Sequence, residues 1–340
     1  MKKILITGGS GFIGSNLVKF LIKKKFFVIN IDKIKYSYNL NRNQKIKDRN
    51  YSFYKFDIND KKKLFTVLKK YKPLAIFNLA AETHVDRSID NPFQFIESNI
   101  LGVYNILECI KDYRKLFKKE IKIIHVSTDE VYGDIKNGNR SDETFPYHPS
   151  SPYSASKASA DHLIKAYIRT YNLKAVISNC CNNYGPGQFP EKFIPTLIYK
   201  IINKKPLPIY GKGKNSREWI HVYDHCEALF QIYKKGVIGQ SYNVGTGMNL
   251  SNLDLAKRLI KTAKKLNVDN NSRIEFVKDR PGHDFRYALN SKKIHKQLGW
   301  KPTKKLDVGL NETFQWYLEN GTFFNSFSKK LFYKRLGLKI

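Results

Sequence analysis

A chain of 340 residues with 41% hydrophobic and 14% aromatic residues carries enough apolar side chain for a folded core, which excludes a disordered protein. The formal net charge of +32 invites nucleic acid or a membrane surface as partner, yet the lysines are scattered in short groups such as Lys23 to Lys25 and Lys61 to Lys63. No nucleic-acid reader motif accompanies them and no apolar run nears the ~18 residues of a membrane span, so neither nucleic acid nor a bilayer is expected as a partner. The four cysteines (Cys109, Cys180, Cys181, Cys226) have no CxxC or metal-site spacing, which suits a reduced cytoplasmic protein with buried thiols and no metal.

Residues 3–7 read as a short apolar strand that runs into Gly8-Gly9-Ser10-Gly11-Phe12-Ile13-Gly14 and then an amphipathic helix to about residue 24. Gly9, Gly11 and Gly14 satisfy GxGxxG, and Gly8, Gly11 and Gly14 the wider GxxGxxG spacing. Missing β-carbons let the backbone turn tightly against a pyrophosphate, and the helix start offers free amides to it. A second strand over residues 26–31 ends in Asp32, where an acid suits an unphosphorylated ribose and so NAD rather than NADP. Strands over 51–56, 75–79 and 121–126 then alternate with helices over 61–70 and 92–113, which predicts an α/β fold with a parallel sheet. Ligands of such sheets gather at the carboxyl ends of the strands, here Gly9, Asp32, Asp57, Ala80 and Ser127.

The strand at 121–126 leads into Ser127-Thr128-Asp129-Glu130-Val131-Tyr132-Gly133. Two adjacent carboxylates behind a buried strand are costly unless they are used, and such a pair suits proton transfer. Tyr153 and Lys157 share one face of the next helix by their i, i+4 spacing, so that the ammonium is expected to depress the phenol pKa and make Tyr153 a base. After Val176 the pattern loosens into loops bearing Asn182, Asn183, Glu191 and Lys192, then Arg217, and then Arg280-Pro281-Gly282-His283-Asp284. The basic, aromatic-rich last twenty residues are expected to dock on their own domain.

Taken in order, TGGSGFIGSNLV, NLAAETHVDRSI, STDEVYG, YSASKAS, NNYGPGQFPEKFIP, YGKGKNSREWIHVYDH and RPGHDFRYA resemble the extended short-chain dehydrogenase/reductase superfamily. Within it, over roughly residues 2–317, the chain is similar to the dTDP-glucose 4,6-dehydratases. The Asp129-Glu130 pair discriminates, since epimerases of this fold carry small residues there. The resemblance implies a Rossmann-type doubly wound parallel sheet over residues 1–178 and a smaller C-terminal substrate-binding α/β domain over 179–340, some of whose segments return to the first. It implies NAD held by Gly8, Gly11, Phe12, Ile13, Gly14, Asp32, Asp57, Ile58 and Ala80, with Tyr153 and Lys157. A nucleotide sugar, dTDP-glucose, would meet Thr83, Asn182, Asn183, Glu191, Lys192, Arg217, Asn252, Arg280 and His283.

The implied chemistry is a lyase reaction. Tyr153, Lys157 and Thr128 would serve oxidation at carbon 4, Glu130 would remove the proton on carbon 5, Asp129 would protonate the departing 6-hydroxyl, and hydride would return to carbon 6. A homodimer through helices near 92–113 and 154–171 is also implied. Three alternatives stay open: the same dehydration of UDP-glucose or another nucleotide sugar, a 4-epimerase or decarboxylase, and a non-catalytic NAD-binding protein.

Overall fold

A strand covered on both faces needs apolar residues at successive positions rather than alternate ones. The computed structural model, which describes residues 1–34, 46, 48–136, 138–269, 271–325, 327 and 336–337, shows that composition in five strands. These are β1 (Lys3–Thr7), β2 (Phe27–Asp32), β4 (Ala75–Asn78), β5 (Lys122–Thr128) and β6 (Ala175–Cys180), all buried in their interiors. With β3 (Tyr51–Lys55) and β10 (Ser241–Val244) they form one parallel sheet in the order β10-β6-β5-β4-β1-β2-β3. The strand order reverses between β1 and β4, and the crevice beyond their carboxyl ends is where such a sheet takes ligands.

Both faces of this sheet are covered. In β1, Ile4 and Ile6 point into one apolar cluster and Leu5 into the other, as the two-residue period of a strand requires. Helix α1 (Phe12–Lys23) buries Leu17, Val18, Phe20 and Leu21 against the first cluster. On the opposite face α2 (Lys61–Tyr71) and α4 (Gly102–Phe117) contribute Leu64, Leu68, Ile106 and Ile110. Each such side chain is worth about 1.5–3 kcal/mol of burial.

The single helix expected over 92–113 is not one regular helix. A short α3 (Val85–Asp90) stops at Asn91, and the helical stretch from Phe93 to Phe117 winds as a π-helix over Ile96–Leu101. The buried Asn99 inside that wide turn accepts from the Glu82 N–H at 2.8 Å and donates to the Glu82 carbonyl at 3.0 Å and to Ser156 Oγ at 2.8 Å. A π-turn inside a helix commonly marks such a local demand. Here it satisfies the backbone of a loop that borders the ligand crevice.

Helix α5 (Pro152–Tyr171) has a strong start. Ser151 accepts from the Ser154 N–H, Ser154 returns a bond to the Ser151 N–H, and Pro152 occupies the first helical position. This cap is worth about 1 kcal/mol and fixes Tyr153 in the first turn, with Lys157 one turn on.

The C-terminal half adds β7 (Asn182–Tyr184), β9 (Ser216–His221) and β11 (Asn249–Ser251) as one small sheet, and β8 (Leu207–Tyr210) with β12 (Ile274–Val277) as a parallel pair. Helices α6 (Phe193–Ile202), α8 (Asn252–Lys265) and α10 (Leu306–Glu319) close a separate core around Leu197, Leu255, Leu259, Leu310, Phe314 and Tyr317. Other C-terminal elements belong to the large sheet instead: β10 at its edge, α7 (Val222–Lys235), whose Tyr223 and Phe230 meet Phe20 of α1 edge-on, and α9 (Lys292–Leu298), which buries Ile294 and Leu298 in the same cluster. Most of the last twenty residues, and so most of the expected tail docking, lie outside the described residues. Of those that are described, Phe323 and Phe324 are buried in the C-terminal core, Phe327 meets Phe189 edge-on, and the Gly337 N–H donates to Asp90 of α3 at 3.1 Å. Among the described residues no helix is long and apolar enough to cross a membrane.

Candidate active site

The β1–α1 turn has no room for side chains where it faces the crevice. Gly8 sits at φ +71, and a β-carbon there would lie 2.6 Å from the Ala80 nitrogen, while one on Gly14 would overlap the Gly8 carbonyl oxygen. No side chain caps α1. Phe12 and Ile13, its first residues, line a cavity shared with Gly8, Gly11, Gly14, Asp32, Asp57, Ile58 and Ala80. Asp32 accepts from the Ser10 N–H at 2.9 Å and the Ile34 N–H at 2.8 Å, and burial pushes its carboxyl above the usual range. Lys33, next in the chain, is held by Asp57 at 3.0 Å. A bare-backbone cradle for phosphates with a carboxylate beside it fits NAD, and an acid there repels a 2′-phosphate.

The same cavity is lined by Thr128, Asp129, Glu130, Tyr153 and Lys157. Thr128 ends β5, and Asp129–Tyr132 form a single 3-10 turn capped by Thr128 Oγ1, which accepts from the Glu130 N–H at 3.3 Å. This turn points the two carboxyls into different surroundings. Asp129 is 3% exposed, its Oδ1 accepts from Thr128 Oγ1 at 3.2 Å, and its Oδ2 has no partner among the described residues. Burial, and then the neighbouring Glu130 charge, push its pKa well above the carboxylate range. Glu130 is also raised by burial, but Arg280, Arg217 and Lys192 pull it back. Burial thus favours the protonated form of both carboxyls, more strongly at Asp129, and the three cations oppose it at Glu130.

The expected depression of the Tyr153 phenol is not what the site shows. Burial and the Glu130 charge push it well above its ordinary value, with Thr128 as its hydrogen-bonding neighbour. The Lys157 ammonium instead donates to the Val126 carbonyl at 2.8 Å. Spacing of i, i+4 gave the shared helix face, but the long lysine chain reaches the strand behind it.

On the sugar side, Thr83, Asn182, Asn183, Glu191 and Lys192 also line the cavity. Lys192 donates to the Thr83 carbonyl at 2.7 Å, Glu191 pairs with Arg87 at 2.9 Å, and the buried Asn182 Oδ1 lacks a donor among the described residues. Arg217, Arg280, His283 and Asn252 do not form its wall. Arg217 stacks on the Tyr287 ring at 4.1 Å, and Arg280 is held by Asp86 at 2.6 Å, with its buried Nε lacking an acceptor among the described residues. His283 bonds Asp279 at 2.6 Å, and burial with the nearby Arg280 and Arg217 lowers its pKa to about 4, so it is neutral near pH 7. Asn252 only begins α8, its N–H bonded to the Asn215 carbonyl at 2.9 Å, and nothing ties its side chain to the others.

Sequence reasoning missed Tyr287, Asp284 and Asp86. The buried Tyr287 hydroxyl lies 2.5 Å from Asp284 Oδ2 and 3.5 Å from Glu130 Oε2, and so connects the third loop to the Glu130 carboxylate. Tyr287 stands inside RPGHDFRYA, but only its contact with a residue 157 positions away marks it out.

A family model described as GDP-mannose 4,6 dehydratase matches residues 5–313. A Neisseria meningitidis serogroup B protein named dTDP-glucose 4,6-dehydratase is 44% identical over 342 aligned residues, covering 96% of each chain. The crystal structure of DesIV, a dTDP-glucose 4,6-dehydratase from Streptomyces venezuelae solved with NAD bound, superposes with TM-score 0.88 at 38% identity, covering 97% of this chain and 99% of that one. The dTDP-glucose 4,6-dehydratase of Bacillus anthracis, in complex with NAD, gives TM-score 0.86 at 39% identity, covering 97% of this chain and 100% of that one. With its cradle, its Tyr153 and Lys157 and its Asp129-Glu130 pair in these places, the chain belongs to the dTDP-glucose 4,6-dehydratase family of the extended short-chain dehydrogenase/reductase superfamily.

Proposed function

We propose that this protein converts dTDP-glucose to dTDP-4-keto-6-deoxyglucose and water, with NAD as a cofactor regenerated in every turnover. The observation that carries the reading is the adjacent pair Asp129 and Glu130 in the cavity that holds Tyr153 and Lys157, with Asp129 Oδ2 lacking a hydrogen-bond partner among the described residues and Arg280, Arg217 and Lys192 near Glu130. A 4-epimerase has no use for that pair. NAD, which Gly8, Gly11, Gly14 and Asp32 would hold, would supply the acceptor and later the donor of the hydride, and a positive charge that would oppose the effect of burial on the Tyr153 phenol.

The chain's own groups handle the protons. Tyr153, with Thr128 beside it, receives the proton of the 4-hydroxyl. The 4-ketone acidifies the hydrogen on carbon 5, which Glu130 removes, and Asp129 Oδ2, without a hydrogen-bond partner among the described residues, protonates the 6-hydroxyl as it leaves as water. Return of hydride to carbon 6 and of a proton to carbon 5 completes the balance. Arg217, Arg280 and Lys192 supply positive charge near Glu130, where a diphosphate would add negative charge.

In the same reading residues 1–178, with β10 and α7 returning, form the NAD-binding unit, and most of 179–340 forms the unit that takes the sugar nucleotide. Phe93 (65% exposed), Ile96, Leu101 and Tyr104 lie bare along the helical stretch that holds the π-turn and support a homodimer through this stretch and α5. Four buried free thiols suit a cytoplasmic setting.

The test is incubation with dTDP-, UDP-, CDP- and GDP-hexoses side by side, without added reductant. A 4-keto-6-deoxy product, seen by its absorbance in alkali and without net NADH, is expected fastest from dTDP-glucose. No such product from either dTDP- or UDP-glucose overturns the dehydratase reading, and a faster reaction with UDP-glucose overturns the choice of base.

A further inference from the structure

Behind Lys157, which lines the cavity, lie buried polar groups to which the chemistry above assigns no step. Lys157 is 3% exposed, and its ammonium lies 2.8 Å from the Val126 carbonyl and 3.4 Å from His125 Nε2. A desolvated ammonium is expensive unless an opposite charge answers it. The imidazole cannot, because its form is set from the other side. Sheet register places Thr7, Asn78 and His125 abreast on β1, β4 and β5. Thr7 Oγ1 donates to Asn78 Oδ1 at 2.6 Å, leaving the Asn78 amide nitrogen to donate to His125 Nδ1 at 3.0 Å. With Nδ1 an acceptor, the one ring hydrogen of a neutral imidazole sits on Nε2.

The missing charge is one helical turn along α5. Asp161 is fully buried, and its Oδ2 accepts from Ser127 Oγ at 2.7 Å, Tyr147 OH at 3.1 Å and Asn179 Nδ2 at 3.4 Å. Its Oδ1 has no hydrogen-bond donor among the described residues and lies 3.5 Å from His125 Nε2, the atom that also faces Lys157. Neither Asp161 nor His125 lines the cavity. The other titratable groups around the pair are Cys180 on β6, Tyr147 before α5, Tyr132 in the 3-10 turn, Tyr153 and Lys165 on α5. Burial pushes the Cys180 thiol up to about 12 and raises the phenols of Tyr147, Tyr132 and Tyr153 as well, so none of these offers a negative charge near neutrality.

We infer that Asp161 is the counter-ion that keeps Lys157 charged in its desolvated site, with His125 locked by Asn78 as a neutral spacer between them. Asp161 is therefore a positioning residue for the redox half of the reaction, acting through Lys157. The importance of Lys157 for turnover rests on the proposed function, whereas the charge pairing does not. Loss of Asp161 leaves an ammonium buried with carbonyl and imidazole alone, and it gives up its proton at lower pH.

A thermal-unfolding cycle tests this without reference to activity. Asp161→Asn is measured in the natural chain and in a Lys157→Met background. Breaking a buried pair on one side is expected to lower Tm by about 5–10 °C. In the Lys157→Met background the same change should cost little or raise Tm. Equal losses in both backgrounds overturn the inference, because Asp161 would then serve only Ser127 and Tyr147. Should Asp161→Asn alone fail to fold, the inference requires the double variant to fold, and a double variant that also fails overturns it. In turnover with dTDP-glucose, the alkaline limb of the kcat profile of Asp161→Asn is expected at least about one pH unit lower, with Asp161→Glu restoring it. A profile that superposes on that of the natural chain refutes the positioning role.

Discussion

Replacing Asp129 by asparagine separates the two halves of the reaction, and the site gives both the size and the sign of the effect. Asparagine copies a protonated carboxyl in shape and charge, and it still offers an oxygen to Thr128 Oγ1, which lies 3.2 Å from Asp129 Oδ1. What it lacks is the acidic proton on Oδ2. Loss of a positioned general acid costs roughly 10²- to 10⁴-fold, or about 3–5 kcal/mol of barrier. Oxidation at carbon 4, which uses Tyr153 and Thr128, should persist, so that reduced cofactor builds up in its near-ultraviolet absorbance while the deoxysugar product all but disappears.

Stability moves the other way. Burial and Glu130 raise the native Asp129 pKa well above its unfolded value, so above about pH 4 the native state keeps a proton that the unfolded chain has released. The stability of the natural chain therefore falls by about 1.4 kcal/mol for each pH unit between those two pKa values and levels off above the native one. The amide of the Asp129→Asn variant does not titrate. The Tm of the variant should equal that of the natural chain near pH 4 and exceed it by a growing margin toward neutrality. A variant that is less stable by the same amount at every pH, or one that retains full turnover, would refute the assignment of Asp129 as the protonated acid.

Two further variants probe the cradle and the proposed dimer face. Gly14→Ala puts a β-carbon onto the Gly8 carbonyl and within 2.7 Å of the Gly9 Cα, with no flexible side chain to yield. It should lower stability by about 1–3 kcal/mol and weaken NAD binding at least about tenfold by calorimetry; unchanged binding would show that the turn does not hold the cofactor. Leu101→Asp with Tyr104→Asp, both on exposed positions of the helical stretch, should yield monomers in sedimentation velocity at micromolar concentration while leaving the fold intact by circular dichroism. A species of unchanged mass would move the interface elsewhere.

Local pattern was enough to read a good part of this molecule. The apolar runs of β1, β2, β4 and β5, the glycine spacing between Thr7 and Gly14 and the shared helix face of Tyr153 and Lys157 each depend on residues within about one helical turn or one strand of each other, and the acid at Asp32 on its place one βαβ unit after the glycines. Those relations are written into backbone geometry and survive any tertiary arrangement. Residues separated by long stretches of chain obey no such rule. Tyr287 reaches Glu130 across 157 positions, Arg280 finds Asp86 across 194, and β10 completes a sheet whose other strands end 61 residues earlier at Cys180.

Electrostatics divided in the same way. The sequence placed Lys157 beside Tyr153 and so suggested a depressed phenol, but the sign of the shift depends on burial and on Glu130, and both are properties of the assembled site. The π-turn around Asn99 likewise answers the backbone of Glu82, a demand invisible in a helical pattern that is otherwise regular. Sequence alone thus determined which chemical groups stand at the ends of the strands. Tertiary structure decided which of them keep their protons, because desolvation and the summed field of distant charges exist only once the chain has closed around them.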